Sequence, residues 1–341
     1  VHFAAVPLAI DAKRIVTARL ASWCGLWPYG ALLHRSEAMR AAVRSSIAAF
    51  GPDLVVLQFS QMAQYVDACG TVPCLIDIQD AFSVSAFRGY ASARGVVRRG
   101  ERLMNWLNWV SYERHYLPRA SGVLTLSQQD LWGLRVYQPA IAGHVLGLPI
   151  GLPRARDAAA RHPRRVGFVG SFSHAPNVEA VRYFLRQILP RIRAELPDAE
   201  FVVAGSDVPA GLAAGAGPGV SFAGFVDDLG GFLRGCAAVA IPLQSGGGIK
   251  MKTLEALAAG AAVVSTSIGA EGIGARDDEH LLIRDASDGF AAALLAVMRD
   301  ADHAARLGSA ARSLIAERFS PPAWRGRFEA VAREAAGVRR Q

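Results

Sequence analysis

Residues 245–268, SGGGIKMKTLEALAAGAAVVSTSI, are the stretch from which the rest of the chain is interpreted. Three consecutive glycines allow the backbone to turn tightly and to approach a ligand closely. A good helix-forming segment follows at residues 251–259, so Lys250 and Lys252 lie in the first turn of a predicted helix. Free N–H groups and the helix dipole favour an anion at that position, and a phosphate is its natural ligand.

A carboxylate follows the two lysines on the same predicted helix. Glu255 lies about one turn beyond Lys252 and can meet a hydroxyl-bearing group attached to the phosphate. A lysine binds phosphate and a carboxylate binds sugar hydroxyls, so the two together indicate a nucleotide-sugar pocket. A second interpretation stays open, because glycine-rich turns before helices are common in α/β proteins and both lysines can simply be solvated.

The whole string GGGIKMKTLEALAAGAAVVST resembles the donor-binding segment of GT-B glycosyltransferases, especially the large retaining family 4 (glycosyl transferases group 1). In that family a G-x-R-x-K-x-x-E-A-x-A-x-G-x-P-V-V pattern recurs. Lys250 stands where arginine is usual, Ala262 replaces the usual proline, and Gly247 stands where the first of two paired glutamates is expected. Glu255 is the second of that pair. The glycine-rich form is similar to the family branch that acts on exopolysaccharides.

This resemblance implies an α/β protein of the GT-B fold, with two Rossmann-like domains and a cleft between them. A C-terminal helix is expected to cross back to the first domain. The expected boundaries are an acceptor-side domain at residues 1–152, a polar and proline-bounded linker at 153–164, a donor domain at 165–320 and the crossover helix at 321–341.

Length and composition agree with two domains and limit the classes of partner that are expected. A chain of 341 residues is about right for two domains, and 52% hydrophobic residues are ample for two cores. The formal charge of +8 favours an acidic partner, which leaves nucleic acid, anionic lipid and a phosphorylated substrate. The sequence has no zinc-finger spacing and no aromatic-basic RNA motif, so we do not expect nucleic acid.

Other sequence features indicate where the protein works. No apolar run approaches the roughly 20 residues that span a bilayer. The four cysteines lack metal-ligand spacing and are interpreted as buried thiols in a reducing cytoplasm. The chain opens without methionine on an apolar run, and residues 3–10 are predicted to form a buried strand. We expect that the first strand and helix of the natural protein are absent from this sequence.

Two apolar runs in the first half predict strands of a parallel sheet, at residues 53–60 and 72–80. Ligands gather at the carboxyl ends of such strands, which singles out Asp77, Gln79 and Asp80. In the family that the chain resembles, a histidine or acid near this strand end often faces the acceptor hydroxyl. Asp80 is the better candidate for that role, with loop capping as the alternative.

Residues 94–118 combine basic and aromatic side chains on one predicted helix. Arg94, Arg98, Arg99 and Arg102 precede Trp106 and Trp109. Such a helix can lie on an anionic membrane surface, which would make the protein peripheral at the inner face of the plasma membrane. In the alternative interpretation, the tryptophans are core residues and the arginines are solvated.

The predicted donor domain contains further candidate ligand contacts. A glycine-led loop with Gly170 and Ser171 follows its first strand and can offer N–H groups to a phosphate, and Asn177 is predicted to cap the next helix. The resemblance implies that Phe225 and Val226 border the nucleobase, with ordinary core as the alternative for Phe225. Gly247 and Gly248 are candidate donor contacts in the glycine-rich stretch, and Glu271 stands at the next predicted strand end, where it can reach the donor or be a solvated loop acid.

The predicted function is transfer of a sugar from a nucleotide-diphosphate sugar to an acceptor hydroxyl, for which a saccharide or lipid-linked saccharide is expected. Lys250 and Lys252 would neutralise the departing diphosphate, and no metal or other cofactor is expected because no convincing D-x-D pair is present. Retention of configuration is implied by the resemblance alone. Two alternatives remain: a nucleotide-sugar epimerase of the same fold, and a non-catalytic module that binds nucleotide or protein.

Overall fold

The structure is a computed structural model that describes residues 5–25, 27–152 and 161–337. Contacts divide the chain into two units. The first comprises Val1–Gly147 together with Arg325–Gln341, and the second comprises Leu148–Trp324. None of the helices within the described residues is long and apolar enough to cross a membrane.

The first unit contains a sheet of four parallel strands that lie side by side in chain order. The strands are β1 (Val55–Gln58), β2 (Cys74–Asp77), β3 (Gly122–Thr125) and β4 (Gly143–Val145). The helices are α1 (Ala12–Trp23), α2 (Tyr29–Leu33), α3 (Glu37–Phe50), α4 (Phe82–Ala91), α5 (Val96–Tyr116) and α6 (Gln128–Arg135), with 3-10 helices at Ser60–Cys69 and Leu117–Arg119.

Local sequence signals explain how several of these helices begin and end. Helix α3 begins after Ser36, whose side chain accepts a hydrogen bond from the Met39 N–H. It ends at Gly51, which has the left-handed φ of 52° that glycine adopts without strain. Ser127, predicted as a cap, accepts from the Asp130 N–H and starts α6. Serine caps and a terminal glycine therefore set these helix boundaries.

The predicted strand at residues 3–10 is wrong for the part that the structure describes. Residues 5–10 have no regular secondary structure and are mostly exposed, and Ile10 is 48% exposed. Pro7 offers no N–H to a neighbouring strand, which disfavours a buried position in a sheet. Residues 1–4 lie outside the described residues.

The second unit contains six parallel strands: β5 (His162–Val169), β6 (Glu200–Ala204), β7 (Val220–Gly224), β8 (Cys236–Ile241), β9 (Val263–Ser265) and β10 (Leu282–Ile283). They lie side by side in the order β10-β9-β8-β5-β6-β7. The helices are α7 (Ala175–Tyr183), α8 (Leu189–Glu195), α9 (Ala210–Ala214), α10 (Leu229–Gly235), α11 (Met251–Ala259), α12 (Ser267–Ala270), α13 (Ser287–Arg299) and α14 (Ala301–Phe319), with a π turn at Phe184–Ile188.

The strand order places a topological switch point between β5 and β8. From β5 the chain adds β6 and β7 on one side, and from β8 it adds β9 and β10 on the other. Every residue of β8 is buried, as expected for a central strand of a parallel sheet. Open parallel sheets bind ligands at the carboxyl ends of the strands that flank such a point. The loops after β5 and β8 are therefore the first place to look for a site.

The last helix, α15 (Pro321–Ala335), begins in the second unit, and its residues from Arg325 onward belong to the first. Within the first unit, the Arg327 guanidinium donates a hydrogen bond of 3.0 Å to the Leu146 carbonyl oxygen. The predicted linker at 153–164 falls largely outside the described residues, and β5 already begins at His162.

Candidate functional site

Helix α11 begins at the carboxyl edge of the second unit's sheet, where the sequence places the two lysines. Lys250 occupies the N-cap position and Lys252 the second helical position, so both lie at the positive end of the helix dipole. The chain has only three lysines, whereas lysine and arginine together number 37. Two of the three therefore stand at this one helix end.

Lys252 lies against the loop that follows β5. Its ammonium group donates a hydrogen bond to the Asn177 side-chain oxygen and lies 5.2 Å from the centre of the Phe168 ring. A Cβ added to Gly170 would lie 3.1 Å from the same ammonium nitrogen. The structure thus brings Lys252 and the glycine-led loop together, as the sequence interpretation requires.

Lys250 is held by the loop that precedes it and by a carboxylate beyond β9. Its Nζ donates a 2.5 Å hydrogen bond to the Gly248 carbonyl oxygen and lies 3.5 Å from Glu271 Oε2. The Lys250 side chain is 10% exposed and that of Glu271 is 18% exposed. The alternative of a solvated loop acid is therefore wrong for Glu271, which lies beside the predicted phosphate-binding lysine.

Electrostatics at this helix end favour an anionic ligand. The pKa of Lys252 is lowered to about 8, mainly by burial and also by the nearby charge of Lys250, whereas Glu255 opposes both effects. Burial also raises the pKa of the Glu255 carboxyl, which Lys252 partly offsets. Two largely buried ammonium groups that repel each other are stabilised by a ligand with two or more negative charges.

Asn177 has a different role from the predicted helix cap. Helix α7 begins at Ala175 with His174 in the cap position, so Asn177 lies inside the first turn. Its Nδ2 donates a 2.6 Å hydrogen bond to the Ser171 carbonyl oxygen while its Oδ1 accepts from Lys252. Pro176 was the missed signal, because proline is favoured in the first helical turn and moves the expected helix start ahead of Asn177.

Glu179 is a second residue that the sequence interpretation missed. The Ser245 hydroxyl donates a 2.8 Å hydrogen bond to Glu179 Oε2, which brings a carboxylate to the first residue of the glycine-rich loop. The two residues are 66 positions apart, and no local pattern links them. Gly247, where the family pattern has a glutamate, is exposed.

Comparison with known proteins supports the fold and one family. Residues 163–300 match the family described as glycosyl transferases group 1, which is about two fifths of the chain. A Klebsiella pneumoniae protein described as a 44.6 kDa protein in the cps region is 28% identical over 145 residues, which are 40% of this chain and 37% of that protein.

Solved structures match most of the chain. TarM of S. aureus, crystallised with UDP among other ligands, superposes with a TM-score of 0.63 at 12% identity, over 86% of this chain and 58% of that chain. Sucrose-phosphate synthase from Thermosynechococcus elongatus superposes with a TM-score of 0.68 at 17% identity, over 89% of this chain and 78% of that chain. Anabaena HepE in complex with UDP-glucose superposes with a TM-score of 0.61 at 14% identity, over 88% of this chain and 82% of that chain. The chain has the GT-B fold. It spans less than two thirds of the Klebsiella protein and of TarM.

In this GT-B protein, the other predicted donor residues lie on loops of the same sheet edge. Phe225 follows β7 and is 80% exposed, so the alternative of an ordinary core residue is wrong for it, and Val226 is half-buried. Gly248 is buried with a φ of 66°, a conformation that a side chain rarely adopts. Ser171 places its hydroxyl 2.8 Å from that of Ser173.

The first unit brings its three predicted residues together at the end of β2. Gln79 has a φ of 59°, and its Nε2 donates a 2.8 Å hydrogen bond to Asp77 Oδ2. Burial raises the pKa of Asp77, and its hydrogen bonds from Gln79 oppose this. The Asp80 carbonyl oxygen accepts from the Ser60 hydroxyl at 3.3 Å. Asp77 thus serves the loop itself, and Asp80 is half-buried.

The acidic residues of the described ranges do not gather into a metal centre. No group of three or more His, Cys, Asp or Glu side chains within residues 5–25, 27–152 and 161–337 is placed to hold a metal ion. Asp228 instead caps α10 by accepting a 2.8 Å hydrogen bond from the Gly231 N–H. Cys24 is exposed, which corrects the expectation of a buried thiol, whereas Cys69, Cys74 and Cys236 are buried.

Replacing Gly205 by alanine is expected to disturb the loop that carries Gly170. A Cβ on Gly205 would lie 1.8 Å from the Gly170 carbonyl oxygen, and its φ of 146° is unfavourable for a side chain. We expect a loss of about 2 kcal/mol in the free energy of unfolding, measured by urea denaturation. Gly211→Ala is the matched control, because a Cβ there meets open space. Equal stability of the two variants would contradict the prediction.

Proposed function

We propose that the chain is a glycosyltransferase that moves a sugar from a nucleotide-diphosphate sugar to an acceptor hydroxyl, with retention of configuration. The observation that carries the proposal is the contact of Lys252 with the glycine-led loop at the switch point, with Lys250 at the N-cap of the same helix. The family match over residues 163–300 supports it. The relatives crystallised with UDP or UDP-glucose support the donor class.

The proposed mechanism places the donor diphosphate at the start of α11. Lys250 and Lys252 neutralise the charge that develops on the departing diphosphate, and the Ser171 N–H binds one of its oxygens. The predicted contact from the Gly170 N–H is wrong, because this group donates a 3.0 Å hydrogen bond to the Ala204 carbonyl oxygen. Glu255 accepts from the ribose hydroxyls. Because the two lysines and the Ser171 N–H supply the positive charge, the reaction requires no metal.

Residues at the rim of the site complete the donor pocket in this proposal. Phe225 and Val226 border the nucleobase, and the glycines Gly247 and Gly248 let the backbone approach the sugar. Glu271 fixes the position of the Lys250 ammonium, from which it lies 3.5 Å. This last role makes Glu271 a positioning residue rather than a direct ligand.

The acceptor side is assigned to the first domain, residues 1–152, with the donor side at 165–320 and the crossover helix at 321–341. Asp80 is proposed to face the acceptor hydroxyl. We propose that the acceptor is a saccharide or lipid-linked saccharide of cell-surface or exopolysaccharide synthesis, and that the protein works in the cytoplasm at the inner face of the plasma membrane. The Klebsiella relative from a cps region supports this assignment.

A panel of UDP-, GDP-, ADP- and dTDP-sugars tests the proposal. The protein is incubated with each donor, with and without a lipid-linked acceptor, and release of nucleoside diphosphate is followed. Release that depends on one donor and on acceptor is the expected result. Epimerised sugar without release would instead indicate a nucleotide-sugar epimerase, and tight binding without any turnover would indicate a non-catalytic module.

Binding of UDP is expected to take up a proton at pH 8.5. The free Lys252 has a pKa of about 8 and is mostly neutral at that pH, whereas a bound diphosphate raises the pKa and restores the charge. Calorimetry in Tris and in bicine measures the uptake, since the two buffers differ in ionisation enthalpy. At pH 7 the lysine is already protonated, so the difference between buffers should nearly vanish. Equal uptake at both pH values would contradict the role of Lys252.

A further inference from the structure

Helix α1 of the first unit exposes its apolar face and buries its small residues. Val16, Leu20 and Trp23 are 54%, 58% and 71% exposed. Their spacing of four and three residues places them on one face of the helix. The buried residues of α1 are Ala18 and Ser22. The helix thus lies with its larger apolar side chains toward solvent, opposite to the usual arrangement of a surface helix.

The start of α5 continues this apolar surface. Val96 and Val97 are 90% and 79% exposed. The first turn of α5 contains no acidic residue and has no side-chain cap, and Arg98 and Arg99 follow the two valines directly. Cations near a helix N-terminus oppose the helix dipole, and β-branched residues are weak helix formers. Helix stability therefore does not explain this sequence, and such a local conflict is typical of a functional surface.

The two helices form one surface. The Asn108 side chain on α5 donates a 2.8 Å hydrogen bond to the Ser22 carbonyl oxygen of α1. Between the helices lies a mainly apolar groove of about 350 Å³ whose walls include Trp23, Val97 and Met104. We call this region the α1/α5 surface, defined by Val16, Leu20, Trp23, Val96, Val97 and Met104.

Basic side chains surround the α1/α5 surface. Lys13 and Arg19 on α1 are exposed. Arg94, which precedes α5, and Arg98, which lies in its first turn, are exposed as well. Glu101 is an acidic residue that lines the groove. Apolar side chains bordered by lysine and arginine match the chemistry of an anionic bilayer, whose headgroups attract the cations while its interior accepts the apolar groups.

We propose that the α1/α5 surface docks the protein on an anionic membrane. The tryptophans singled out from the sequence do not form this surface. Trp109 is 6% exposed and stacks on Phe82 with ring centres 4.5 Å apart, and Trp106 stacks on Tyr90. The docking face is formed by Trp23 and the two valines instead. This inference deepens the proposed function, because it gives the membrane-side acceptor a specific contact.

Vesicle flotation tests the proposal with two double variants of the full chain. One variant, Trp23→Ser with Val97→Ser, removes apolar contact, and the other, Arg94→Glu with Arg98→Glu, reverses charge. The vesicles contain phosphatidylcholine alone or with about one third phosphatidylglycerol. The wild-type protein should float only with the anionic vesicles, and each variant should bind them at least about tenfold more weakly.

The matched control is Trp132→Ser with Arg135→Glu, which makes the same kinds of change on exposed residues of α6. It should float like the wild type. UDP affinity, measured on the same samples, separates failure of docking from failure of the donor site. Absence of wild-type flotation would overturn the proposal. So would a dimer in light scattering that the Trp23 and Val97 changes dissolve, because a second copy would then cover this surface.

Discussion

Replacing Lys252 by alanine is expected to weaken UDP binding by about 100-fold, because a charge-assisted hydrogen bond to phosphate contributes up to about 3 kcal/mol. The side chain lies against the ring of Phe168 and bonds to Asn177, and its residue stands in the first turn of α11. Nearby Lys250 lowers the Lys252 pKa, which places the two charges close enough to act on one diphosphate. Calorimetric titration with UDP measures the loss.

Lys13→Ala is the matched control for this experiment. Lys13 is the one other lysine in the chain and is exposed on α1. Its removal changes the net charge by the same amount and should leave the UDP dissociation constant within about twofold. Thermal unfolding of both variants checks that the fold is retained. If Lys252→Ala bound UDP as tightly as Lys13→Ala, the site assignment would be wrong.

Local sequence signals were sufficient for the central part of the site. The predicted helix at residues 251–259 is α11, Met251–Ala259, and it ends at Gly260 with a left-handed φ of 73°. Glycine before the helix and glycine after it are strong boundary signals. The apolar runs likewise became the parallel strands β1 and β2, and β2 has the burial that a continuous apolar sequence predicts. The edge strand β1 instead exposes Val56 and Gln58.

Contacts between distant segments could not be predicted in the same way. The bond between Lys252 and Asn177 joins residues 75 positions apart, and Ser245 meets Glu179 across 66 positions. Which side chains meet depends on the strand order, which places β5 beside β8. The sequence supplied the candidate loops, but only the packed sheet shows which of their side chains touch.

Burial of single aromatic residues was equally beyond a sequence pattern. Trp106 and Trp109 follow a basic run, and that pattern fits both a membrane helix and a packing helix. Trp109 is buried because Phe82 of α4 stacks on it, while Tyr112 of its own helix meets its edge. Trp23, which carried no motif, is 71% exposed. The helical period alone does not say which face of α1 or α5 a neighbouring element covers.

The second large effect is expected at Glu113, a fully buried carboxyl on α5. Its Oε1 accepts a 3.3 Å hydrogen bond from the Ser83 N–H, and its Oε2 accepts from the Tyr137 hydroxyl. It thereby joins α5, the first turn of α4 and the segment after α6. Burial raises the pKa of Glu113 to about 7, although its hydrogen bonds from Ser83 and Tyr137 oppose the shift.

The raised pKa makes the first unit less stable as the pH increases. Below pH 4.5 the carboxyl is protonated in both the folded and the unfolded chain, and its contribution to stability is fully present. As the pH rises from there through the folded pKa of about 7, the unfolded chain ionises first and stability is lost. A shift of this size corresponds to about 3 kcal/mol, complete above pH 7.

Two substitutions of Glu113 separate the pH effect from packing. Glu113→Gln keeps the shape and removes the titration, so the fall in unfolding free energy between pH 5 and 7.5 should be smaller by about 2 to 3 kcal/mol. Glu113→Ala leaves the Ser83 N–H without this acceptor and opens a cavity, so it should cost about 3 kcal/mol at pH 5.

Urea denaturation followed by tryptophan fluorescence measures both effects in the first unit, since five of the six tryptophans belong to it and Trp324 belongs to the second. Glu101→Gln, on the exposed side of the same helix, is the matched control and should retain the wild-type pH dependence. If Glu113→Gln kept the same fall in stability between pH 5 and 7.5, other groups would control it. Because α4 begins two residues after Asp80, a stability loss at Glu113 would also reach the loop assigned to the acceptor.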